Sequence, residues 1–380
     1  MRVARSFASR ATTEEHFVDV ARRASAALER LGASTPMHLD ALMKIFSLNE
    51  DIQPTTATMR RRAHPLVIPL AETRDGRYVY GLYVGRAAMG GARTSATNFS
   101  FFHKSREDVA ASNSASSAAP GGISAIPIVR SGPRGLMHLA ADATHFVRRK
   151  LAEDERDFGV GAGAVTLACG ADALDAYAPG ELTSSPFKSR MEVFLTKNVG
   201  RFMDVDEALI ARHVEKKDET SALVTGEWYT DGPYAGWARP YAVNADTLMR
   251  HGRAIEARDQ ARVALSAGPW WTIGDDGELL SRMKVLSGYD GRSAADVRKT
   301  LEGGDVAIGQ NVNDGEPPPT PEELALKAAG AAMDAIAWGE GGGEDGWASC
   351  REVVAERLEE AGLAELSAHV VEPLRSSSQS

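Results

Sequence analysis

The stretch from Ala238 to Trp271 constrains the fold more than any other part of the chain. Ala245, Ala257 and Ala264 are small residues spaced so that two antiparallel helices can approach closely, with Gly252 at the turn between them. Tyr241 and Leu248 add large apolar side chains to the first helix, and Pro269 ends the second. An aromatic on such a hairpin fills the gap to a neighbouring helix pair. The surrounding residues 227–271 hold four of the six tryptophans, so this segment either packs helices or presents a recognition surface.

The positions Tyr241, Ala245, Leu248, Gly252, Ala257, Ala264 and Pro269 together resemble one tetratricopeptide unit. Asn244 departs from the usual leucine and Ala261 from the usual bulky residue. Shifting the pattern by one repeat length in either direction gives weak matches, although a helix-turn-helix outline continues downstream. The resemblance implies stacked hairpins with a concave face for a peptide or helix, and it places Tyr234, Trp237, Arg239, Tyr241 and Asn244 near that face as candidate partner-binding residues. Trp270 and Trp271, just past the second helix, are expected to cap the hairpin against the next one.

Elsewhere the periodicity divides the chain. Phe17, Val20, Ala21, Ala24, Ala27 and Leu28 recur at helical spacing, opening a pair of helices over residues 13–59. A small α+β module is expected over 60–157, from two β-hairpins and a closing helix at 143–155. The first hairpin turns at Asp75-Gly76 and the second at Gly132-Pro133. Pro65, Pro69 and Pro127 suggest edge positions or short, interrupted strands. Between the hairpins, residues 87–122 are rich in Ser, Ala, Gly and Asn and read as a flexible insertion. Helical hairpins follow over 158–305, then a proline-rich linker at 306–321 and an acidic helical pair at 322–373. A disordered tail at 374–380 ends the chain. The fold class is therefore mainly α, with a small α+β module.

Charge and composition narrow the function classes. The net charge of −9 is concentrated at the end, where residues 303–380 carry fifteen acids against four basic residues. The sharpest basic cluster is Arg60, Arg61 and Arg62; with His103, Lys104 and Arg106 it forms a candidate anion or nucleic-acid contact. Two distant cysteines and nine scattered histidines offer no metal spacing, so neither a metal nor a cofactor is expected. The glycine rhythm at 159–170 follows a charged helix, where a dinucleotide fingerprint needs a strand. There is no GxSxG and no phosphate loop, and no catalytic residue is assigned. No apolar run is long enough to span a membrane.

The start, "MRVARSFASR", has three arginines and no acid before Glu14, so residues 1–12 read either as an organelle-targeting remnant or as a disordered basic start. From "MRRRAHPLVIPLAE" to Trp271 the chain also resembles a general type of plastid protein from plants and green algae, which carries over no catalytic residues. The resulting expectation is a non-enzymatic assembly or scaffold factor in a plastid, with a mitochondrion or the cytoplasm as alternative locations and a protein as partner. The rival readings are an RNA-associated factor using Arg60–Arg106 and an enzyme with a dispersed site.

Overall fold

The computed structural model describes residues 2–85, 126–234, 236–302, 319–341 and 346–375, with side chains from 14 onward. Helix α1 (Arg2–Arg30) begins well before Thr13, and all six apolar positions read from its periodicity are buried. They pack α1 on α2 (Leu39–Leu48) and on the sheet behind it. His38, just before α2, adopts the left-handed conformation; its ring bridges Thr144 and Asp175 at 3.0 and 2.8 Å.

The two expected hairpins are present, but they belong to one five-stranded antiparallel meander. Its order is β1 (Ile52–Pro54), β2 (Val67–Thr73), β3 (Val79–Tyr83), β4 (Ile128–Ser131) and β5 (Leu136–Ala140). The short edge strand β1 has no periodicity of its own and is defined only by its pairing with β2. That pairing makes β2 an inner strand, so Pro69 is not at an edge. It sits at a bulge, where the register shifts between Pro69 and Ala71 and a missing N–H is tolerated.

Both faces of the sheet are covered, which explains why its strands read as nearly continuous apolar runs. On one side Tyr80 meets Phe46, which in turn meets Phe146 of α4 (Ala143–Phe158). On the other, Tyr83 and His138 stand against Trp237. After the short helices α5 (Ala164–Cys169), α6 (Glu181–Ser184) and α7 (Met191–Phe194), the middle of the chain forms that second layer: α8 (Met203–Glu215), α9 (Glu219–Thr230), α10 (Arg239–Arg250), α11 (Ala254–Ala267) and α12 (Glu278–Ser287). Each packs on the next, and α8 and α12 also touch α10. Within the α10–α11 hairpin, Ala245, Ala257, Ala261 and Ala264 are fully buried and Gly252 takes positive φ at the turn. The close approach read from the alanines is thus realised.

Beyond α12 come α13 (Ala294–Glu302), α14 (Pro321–Trp338), α15 (Arg351–Glu360) and α16 (Ala364–Arg375). A capping box built from Thr320 and Glu323 opens α14. The last two helices return to the N-terminal half, where α16 packs on the short helix α3 (Ala57–Arg62). Among the described residues, most buried apolar side chains from Phe17 to Val370 form one large core, with Met59, Ala63 and Val79 in a small separate cluster. The expected insertion at 87–122 and most of the linker at 306–321 lie outside the described residues, as does the tail beyond Arg375. Leu374 and Arg375 end α16.

Candidate functional site

The residues expected to face a partner are largely interior. Trp237 is 3% exposed and Tyr234 5%, because the sheet covers the face that an isolated stack of hairpins would leave open. Their rings meet His138 at 5.1 and 5.7 Å between centroids, and Tyr229 packs on Tyr234 at 5.4 Å. The Tyr234 hydroxyl and the Arg239 guanidinium are bound internally. Tyr234 donates to buried Asp206 at 2.8 Å, and Arg239 forms a two-pronged pair with Glu207 at 2.6 and 2.8 Å while also donating to the Ile273 carbonyl at 2.9 Å. Asn244 is buried against Gly226 of α9, and Tyr241 is half-buried against the core. The expected concave recognition face is therefore a packed interface, which corrects the placement read from the sequence.

The other aromatics tie distant segments together. Trp270 packs on Trp338 at 4.4 Å and donates its backbone N–H to Asp334 at 2.6 Å. Trp271 meets His64 at 5.3 Å, and His64 meets Trp347 at 4.5 Å. The two adjacent tryptophans thus hold the hairpin to α14 and to the N-terminal half.

Burial holds the histidines of this interior neutral. It lowers the His138 pKa to about 4 and pushes that of His64 well below its ordinary value. Above an unfolded pKa of about 6.5 the His138 ring is neutral in both states. As pH falls from there toward 4 only the unfolded chain gains the proton, so stability drops across that window, by roughly 3 kcal/mol from this residue. Denaturant titrations between pH 7 and pH 4 should show a smaller loss for His138→Phe than for the native chain. Equal slopes would mean that the ring titrates normally in the fold.

The basic cluster also has a structural setting. Arg60 is half-buried and Arg62 exposed at the end of α3, where positive charge complements the helix C-terminus. The backbone carbonyls of Arg60, Arg61 and Ala63 all accept from buried Arg351. His103, Lys104 and Arg106 lie outside the described residues. Among the described residues, no group of His, Cys, Asp and Glu comes together as a metal site. Both cysteines are buried as free thiols. No helix among the described residues is long and apolar enough to cross a membrane.

What the molecule does present is an apolar lobe after α4. Phe158 is 65% exposed, Val160 52%, Leu167 71% and Leu174 54%. Exposed Ala162, Ala164, Ala171, Ala178 and Pro179 lie between or beside them in sequence. Leu151, Glu155, Thr166, Leu174, Tyr177 and Pro179 line a small pocket of about 20 Å³, room for about one water molecule. Two neighbouring carboxylates hold this lobe from below. Asp154 accepts from the backbone N–H of Thr166 at 2.9 Å and from its hydroxyl at 2.7 Å, capping α5 (Ala164–Cys169). Glu155 accepts from Tyr177, Gly180 and Thr183, each at 2.8 Å, capping the short helix α6 (Glu181–Ser184). The glycines at 159 and 161 follow helix α4 and take positive φ in the connection, as turn residues. In the sequence, the glycine rhythm at 159–170 is weighed against a dinucleotide fingerprint, and its composition does not distinguish a buried apolar segment from an exposed one.

Comparison with known proteins bears on this architecture. Residues 203–290, which include α8–α12 and the tetratricopeptide-like segment, match the model of the PAB middle domain. The chain is similar to the Arabidopsis thaliana protein named "Protein IN CHLOROPLAST ATPASE BIOGENESIS, chloroplastic", at 28% identity over 247 residues; the match covers 65% of this chain and 69% of that one. It is also similar, at 34% identity over 89 residues, to the "tRNA 5-methylaminomethyl-2-thiouridine biosynthesis bifunctional protein MnmC" of Cupriavidus necator. That match spans 23% of this chain and 12% of the bacterial protein. No solved structure matches. The chain is thus similar to a chloroplastic ATPase biogenesis protein over most of its length.

Proposed function

We propose that this chain is a plastid assembly factor, that it acts in the biogenesis of the chloroplast ATPase, and that it works by binding protein rather than by catalysis. The observation that carries the mechanism is the exposed apolar segment Phe158–Leu174, held by the caps that Asp154 and Glu155 provide. Four large apolar side chains left in water within one short capped segment, Phe158, Val160, Leu167 and Leu174, are the kind of surface another protein covers. The similarity to the Arabidopsis biogenesis protein supports both the process and the location. On this reading the tetratricopeptide-like packing of Ala238–Trp271 is a support for the sheet and lobe, and the partner is met elsewhere.

Affinity capture of the full chain from plastid extract, with and without nuclease, tests the reading. ATPase subunits should be recovered in near-stoichiometric amount and survive nuclease. Removing the chain should lower the amount of assembled ATPase. Recovery of RNA with loss of all protein partners on nuclease treatment would replace this reading with an RNA-associated one.

A further inference from the structure

Resting on the reading of the chain as a protein-binding assembly factor, we propose that the arginine cluster at the end of α3 binds an acidic segment of a protein partner. The cluster is Arg60, Arg61 and Arg62, joined by Arg23 of α1. Its positive charge exceeds what the fold uses. Carbonyls at the end of α3 already accept from the buried Arg351 guanidinium, which compensates the helix end before any of these side chains is counted. On α1, Arg22 and Arg30 pair with Asp19 and Glu372, but among the described residues Arg23, Arg60, Arg61 and Arg62 form no ion pair. The buried Nε of Arg60 has no hydrogen-bond partner. The acids whose charge reaches Arg60 are engaged elsewhere: Glu372 with Arg30, and Glu72 with Gln53 and Thr56. Burial and then the charge of Arg23 lower the Arg60 pKa from its ordinary value, and Glu372 and Glu72 only partly offset them. Like charges are thus crowded at α3, and an arriving anion relieves them.

The chemistry of the cluster selects the occupant. A guanidinium is a planar fork that takes a carboxylate by two parallel bonds, and an acceptor reaching the Arg60 Nε satisfies a donor that the fold leaves bare. A nucleic acid fits less well. It would bring a polyanionic backbone to a chain of net charge −9, and single strands are held by rings on which bases stack. The rings next to α3, those of His64 and Trp347, are buried. Tyr78, in the β2–β3 connection beside Met59, already carries the guanidinia of Arg77 and Arg130 at 5.4 and 4.6 Å from its ring centre. An anionic membrane surface calls for large apolar side chains beside the charges, and Met59, the one such residue of α3, is buried.

The test uses the full chain, a synthetic peptide of alternating glutamate and alanine, and its glutamine counterpart. The chain as a whole is negative, so the glutamate peptide has no general attraction to it. Arg23→Gln/Arg62→Gln removes two exposed charges and leaves the bonds from Arg351 to the α3 backbone in place; circular dichroism checks its fold. The native chain should bind the glutamate peptide roughly tenfold more tightly than the double variant does, and roughly tenfold more tightly than it binds the glutamine peptide. That affinity should fall as salt rises. Equal binding by the double variant, or of the glutamine peptide, would overturn the proposal. So would tighter binding of a single-stranded RNA oligonucleotide, sedimentation with anionic vesicles, or concentration-dependent oligomers, where these are lost in the double variant, since each assigns the cluster to another occupant. If ATPase subunits are captured equally by the double variant, the arginine proposal fails while the assembly function stands. If the native chain captures no ATPase subunit yet still discriminates the glutamate peptide, it is the function that fails.

Discussion

Gly135→Ala is expected to cost more than about 4 kcal/mol and to leave little folded protein. Gly132 to Gly135 form the turn between β4 and β5, closed by a Gly132 N–H to Gly135 carbonyl bond of 2.9 Å. This turn is seated on the chain that follows Trp271. A Cβ on Gly135 would lie 2.2 Å from the Gly274 carbonyl oxygen and 2.5 Å from that of Trp271. Carbon–oxygen contacts normally fall near 3.3–3.6 Å, and backbone on both sides cannot swing away. Relief requires lifting the turn, which also separates the Gly132 carbonyl from the Trp347 indole N–H at 2.8 Å and Arg130 from Asp275. Gly330→Ala has the opposite expected sign. It lies inside helix α14, and its added carbon would meet only Trp271, at an ordinary 3.9 Å. Alanine there should stabilise the protein by about 0.5–1 kcal/mol through the unfolded chain. Equilibrium denaturation of the two variants beside the native chain checks both signs. Two small and similar changes would mean that the turn is not seated against that backbone.

The second large effect is expected at Arg351. Its guanidinium is buried at the start of α15 and donates to four backbone carbonyls: Arg61 at 3.0 Å, Val370 at 2.7 Å, Arg60 at 2.9 Å and Ala63 at 2.6 Å. Three of these belong to the C-terminal end of α3, where the helix dipole is negative and carbonyls lack helical partners. Burial lowers the Arg351 pKa to about 10, which leaves the group charged at neutral pH. Arg351→Met should cost about 3–5 kcal/mol, because buried carbonyls lose their donors along with the charge that compensates them. Arg351→Lys should recover less than half of that, since one ammonium cannot reproduce the planar fork. Denaturant midpoints, with limited proteolysis of α15 and α16, would measure it. A change below about 1 kcal/mol for Arg351→Met would show that apolar packing alone docks the C-terminal helices.

Both predictions concern contacts that no local pattern reveals. Arg351 appears in the sequence as the first residue of an acidic amphipathic helix, with nothing to distinguish it from half-buried Arg357. Its partners on α3 lie some 290 residues away. Tyr234 and Trp237 carry the residue types of an interface, and they do form one, but with strands of their own chain. Arg239 was expected at a partner and instead binds Glu207 within the fold. The apolar lobe was missed for the converse reason: alanine, glycine and leucine in a row give no sign of whether another segment will cover them.

The sequence by itself determined the elements whose cause is local. Helical spacing set the buried face of α1, alanines and Gly252 set the α10–α11 hairpin, and Asp75-Gly76 and Gly132-Pro133 turned two pairs of strands. Each depends on residues only a few positions apart, whose backbone preferences act before any tertiary contact forms. The tertiary structure alone decided that the two hairpins share a sheet with β1, that this sheet is covered on both faces, and which apolar side chains remain in water. Those outcomes depend on which distant segment arrives to bury a surface. The hydrophobic effect that drives such burial is non-directional and depends on the area removed from water, so it does not name the partner in advance.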